Sequence, residues 1–101
     1  MKPIYAIGNS EAVMLFQSIG IESFIVTNNN EFKNKLEELK GAKIILISES
    51  LSPFLEEISY KYANETYPIL LLLPMEGHES SLGLDKLKKD VEKAIGIALL
   101  R

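Results

Sequence analysis

The chain has no cysteine. Neither a disulfide framework nor a thiolate metal or redox site is available to it, and that absence is compatible with a reducing compartment. Long apolar runs are missing too. The most apolar one, Ile69 to Leu73, is bounded by Pro68 and Pro74, far short of the roughly 20 residues that span a bilayer. It reads as a buried strand. At the start of the chain a few apolar residues give way to Gly8-Asn9-Ser10-Glu11, too soon for the apolar core of a secretory signal. A soluble, intracellular chain is the expectation. Basic residues are the minority: eleven Lys and Arg against fourteen Asp and Glu leave a formal net charge of −3, which argues against a general electrostatic grip on nucleic acid. Gly8 is not followed by a second glycine at dinucleotide spacing, and no glycine-rich loop ends in Lys-Ser or Lys-Thr, so nucleotide binding by the chain itself is not expected. The only histidine, His78, lies in a polar stretch beside Glu76 and Glu79 and reads as solvated rather than as a metal ligand or acid/base group.

What the chain does have is enough apolar material for one domain. Of its 101 residues 47% are hydrophobic and 25% charged, the balance of an ordinary globular chain. Four short runs rich in β-branched residues recur, at Ile4 to Ile7, Ser23 to Val26, Lys43 to Ile47 and Ile69 to Leu73. Each suits a strand that is apolar on both faces. Helical spacing fills the gaps. A first helix opens with Asn9 or Ser10 as N-cap, carries Val13 and Phe16, and stops at Gly20. A second begins in Asn28-Asn29-Asn30 and sets Phe32, Leu36 and Leu39 on one stripe before Gly41. In a third, Ser52 caps and Pro53 takes the first helical position, with Leu51, Leu55, Ile58 and Tyr62 on one face and Asn64 at the end. This alternation builds a parallel sheet through right-handed crossovers. The expected fold is α/β: a single receiver-like (flavodoxin-like) domain whose four-stranded, mainly parallel sheet has the order 2-1-3-4 and helices on both faces.

After Pro74 the alternation fails. Residues 1–74 form the expected core, 75–83 a loop, and 84–101 a last amphipathic helix with a short tail, with Leu84, Leu87, Val91 and either Ala94 or Ile95 on one stripe. From Leu84 to Arg101 five basic residues meet three acidic ones, whereas the first 83 residues carry six basic and eleven acidic. The tail therefore differs in sign from the body. Three crossover helices already suffice to cover a small four-strand sheet, so this helix either packs on its own sheet or serves another surface. The sequence leaves both open.

In a doubly wound sheet, ligands sit at the carboxyl ends of the central strands where strand order reverses. Here Gly8-Asn9-Ser10-Glu11 and Ser48-Glu49-Ser50 would line that crevice. A phosphate-accepting receiver needs an acidic cluster and an aspartate there to hold Mg²⁺, but Asn9 and Ser10 replace the cluster and the third strand ends without Asp. Glu11 and Glu49 alone make a poor octahedral site. Neither a metal nor a cofactor is expected, and these residues read as helix caps.

The ordered landmarks carry a resemblance. Ile7-Gly8-Asn9, Phe16 with Gly20-Ile21, Val26-Thr27, Ile44 to Glu49, Pro68 to Pro74 with Gly77 beyond, Leu82-Gly83-Leu84 and Val91-Glu92-Lys93-Ala94-Ile95-Gly96 together resemble the F subunits of V-type and archaeal A-type rotary ATPases, bacterial branch. Asn9 stands where that family commonly has Asp, and Ser48 where Thr is common. The resemblance implies a non-catalytic component of the central rotor stalk, bound to the coiled coil of the D subunit, within an ion-translocating complex with a catalytic head of A and B subunits and a connector to the membrane ring. It implies a cytoplasmic place peripheral to the membrane, and a partner interface at Leu82, Gly83, Leu84, Leu87, Val91 and Ile95. Two rival readings remain: a degenerate receiver-like domain binding a small ligand at Asn9, Ser10 and Glu49, and an α/β module that pairs with its own copy through the last helix.

Overall fold

The computed structural model describes residues 2–75 and 81–99, with the backbone alone for 81–84 and 97–99. Strand and helix alternate along it. β1 (Ile4–Gly8), β2 (Glu22–Ile25), β3 (Ile44–Ser48) and β4 (Ile69–Leu73) form one sheet in the order β2-β1-β3-β4, with every neighbouring pair parallel. The expected class and strand order are therefore those observed. β1 and β3 lie in the middle, and their apolar runs are buried on both sides, as strands sandwiched by helices must be.

Side-chain alternation sorts the core into two layers. On one face Tyr5, Ile7, Ile45 and Ile47 meet Phe32 and Leu36 of α1 (Asn29–Glu38) and Ile58 of α2 (Ser52–Ile58). On the other, Ala6, Ile44 and Leu46 meet Val13 and Phe16 of a first helix (Glu11–Ile19) and Leu87 and Val91 of α3 (Ser81–Leu99). The apolar stripe of α3 thus lies on its own sheet. Ala94 and Ile95 continue it, partly buried.

Local chemistry fixes most boundaries. The first helix is 3₁₀ throughout Glu11–Ile19, longer than such helices usually run. Its apolar residues explain the choice: Val13, Phe16 and Ile19 recur every third position, the repeat that stacks side chains on one face of a three-residue turn. Gly20 closes it at φ 87°, in the left-handed region where a side chain is strained. At the head of α1 the Asn28 side chain accepts the Glu31 N–H at 2.9 Å, while the Glu31 carboxylate accepts the Thr27 N–H at 3.1 Å and the Thr27 hydroxyl at 2.7 Å. This reciprocal cap satisfies donors that the helix leaves unpaired.

Several expected boundaries move: the first three strands shift by a residue at one end or both, and the third helix ends at Ile58, followed by a separate 3₁₀ turn at Ser59–Lys61, instead of running to Asn64. Ser52 does not cap the third helix, because the chain already turns as a short 3₁₀ segment at Glu49–Leu51 and enters α2 with Ser52 inside the turn. The last helix begins at Ser81 rather than Leu84. Gly83 suggests a loop, but a lone glycine costs a helix only about 1 kcal/mol relative to alanine and does not forbid it.

Candidate docking surface

The carboxyl-end crevice is occupied by its own side chains. The Ser50 hydroxyl donates to Asn9 Oδ1 at 2.6 Å and lies 2.8 Å from the Ser48 hydroxyl. A hydroxyl has one proton to give, so Ser48 is the donor to Ser50, and the three side chains form a directed relay from β3 to the turn after β1. Ser48 is buried. Beside them Gly8 is in close quarters: a Cβ there would stand 2.8 Å from Val13 Cβ. Ser10 works as the expected cap, accepting the Ala12 N–H at 3.3 Å. Glu11 and Glu49 are exposed, and among the described residues no group of three or more His, Asp or Glu side chains is placed to hold a metal ion. His78 lies outside the described residues.

The residues expected to meet a partner divide. Leu87 and Val91 are buried, 1% and 3% exposed, in the layer between α3 and the sheet. Leu82, Gly83 and Leu84 fall in the first turn of α3. Ile95 is different, since it also borders a hollow at the opposite end of the sheet.

That hollow is half open and encloses about 820 Å³ at the amino ends of β1, β3 and β4. Leu55 of α2, Tyr62 and Tyr67 of the following turn, Ile69 and Leu70 of β4 and Ile95 of α3 supply its apolar walls, with Lys43 and Glu65 as the charged groups beside them. The peptide between Tyr67 and Pro68 is cis. Tyr62 loses a proton less readily than a free tyrosine, first because it is partly withdrawn from water and second because Glu37 repels the phenolate. Tyr67, in the lining of the hollow, is 52% accessible. Sequence reasoning names Ile95 and misses the rest of this lining. One signal is present: three of the four tyrosines fall within Tyr60–Tyr67, amphipathic side chains of the kind enriched at interfaces.

A parallel doubly wound sheet in the order β2-β1-β3-β4, with Asn9, Ser48 and Ser50 hydrogen-bonded to one another at its carboxyl end and an apolar hollow at the other, defines the molecule as a receiver-like α/β domain. Comparison with known proteins places it more narrowly. Residues 4–91 match the family of the ATP synthase (F/14-kDa) subunit, and the chain belongs to that family. It is 28% identical over 101 residues to the V-type ATP synthase F subunit of Clostridium botulinum strain Eklund 17B, covering 98% of both chains. It is likewise 27% identical to that of Clostridium perfringens strain 13, over 98% of this chain and 96% of the relative. For Fusobacterium nucleatum the figures are 28%, 99% and 97%. The resemblance carried by the ordered landmarks, bacterial branch included, is borne out. Among the described residues no helix is long and apolar enough to cross a membrane.

Proposed function

We propose that this chain is a non-catalytic component of the central rotor stalk of a V-type ion-translocating ATPase. It binds the coiled coil of the D subunit, sits between the catalytic head of A and B subunits and the connector to the membrane ring, and helps couple ATP hydrolysis or synthesis to H⁺ or Na⁺ movement. The observation that carries this reading is the family match over residues 4–91 together with relatives of the same length. The filled crevice supports it, because torque transmission asks for a stiff body and no bond chemistry.

Within that reading the C-terminal segment is the partner-facing one. Leu87 and Val91 hold α3 on the sheet by their burial, Leu82, Gly83 and Leu84 bring its first turn toward the stalk, and Ile95 reaches the edge of the hollow. Purification of the tagged chain from its host in mild detergent, with native mass spectrometry of what accompanies it, tests the assignment. Recovery with a coiled-coil stalk protein and the ATPase catalytic subunits is the expected result. Recovery alone, or as a homodimer, sinks it.

A further inference from the structure

We draw no further inference here: the strongest candidate, the half-open apolar hollow at the amino ends of β1, β3 and β4 lined by Leu55, Tyr62, Tyr67, Leu70 and Ile95, is a concavity for which nothing in the structure shows what covers it.

Discussion

The two ends of the sheet are built on opposite principles. At the carboxyl end small polar side chains pair with one another: Ser48, Ser50 and Asn9 in one relay, and Thr27, Asn28 and Glu31 in a reciprocal cap. At the amino end the chain instead leaves apolar side chains around an open hollow, with Tyr67 in its lining half in solvent. In most doubly wound domains the carboxyl end is the one that meets the outside world. Here that end carries a hydrogen-bonded set of small side chains, while the open apolar concavity lies at the other end, and the lesson is that one fold can place its largest hollow away from its habitual site.

Substitutions sharpen the contrast. Gly8→Val should have the largest effect, because its Cβ meets Val13 Cβ at 2.8 Å and the crowded turn must shift; a loss of about 2–3 kcal/mol in a urea titration is expected. A normal midpoint would mean that the carboxyl end is looser than described. Ser50→Ala comes next. It strips the buried Ser48 hydroxyl of its acceptor, for about 1 kcal/mol by the same titration, whereas Ser48→Ala removes the donor itself and should cost less.

Glu31→Gln weakens the cap with a pH signature. Its hydrogen bonds to the Thr27 hydroxyl and N–H hold the Glu31 carboxyl below its usual range, so its contribution is present above the unfolded carboxyl's pKa and fades as pH falls through the lower folded value. Parent and variant melting temperatures should therefore differ at neutral pH and converge in acid. Tyr67→Ala is the smallest: exposed, it should leave stability within about 0.5 kcal/mol, and a larger drop would recast the amino end as core rather than surface.

Much of this architecture is legible because neighbours in sequence decide it. The strand boundaries expected at Ile69 and Leu73 are those observed, Asn28 and Gly20 mark helix ends through chemistry local to a single turn, and parallel order follows from alternation. The places where the sequence misleads share a cause. The three-residue repeat of Val13, Phe16 and Ile19 signals a 3₁₀ helix but resembles an ordinary one in so short a segment. Ser52 looks like a cap because the earlier turn at Glu49–Leu51 depends on Ser48 and Ser50 finding partners across the crevice. The hollow is the least legible feature. Its walls come from segments as far apart as Ile4 and Ile95, and no local pattern announces that they converge.

The amino ends of three strands stand abreast: Ile4, Ile44 and Ile69 share one level of the register. The Pro3 carbonyl accepts the Lys43 and Ile44 N–H groups, at 2.9 and 3.0 Å, and the Lys43 carbonyl accepts that of Ile69. A pull delivered at that rim runs along the strand axes, so the ladders must slide all at once in shear rather than unzip bond by bond.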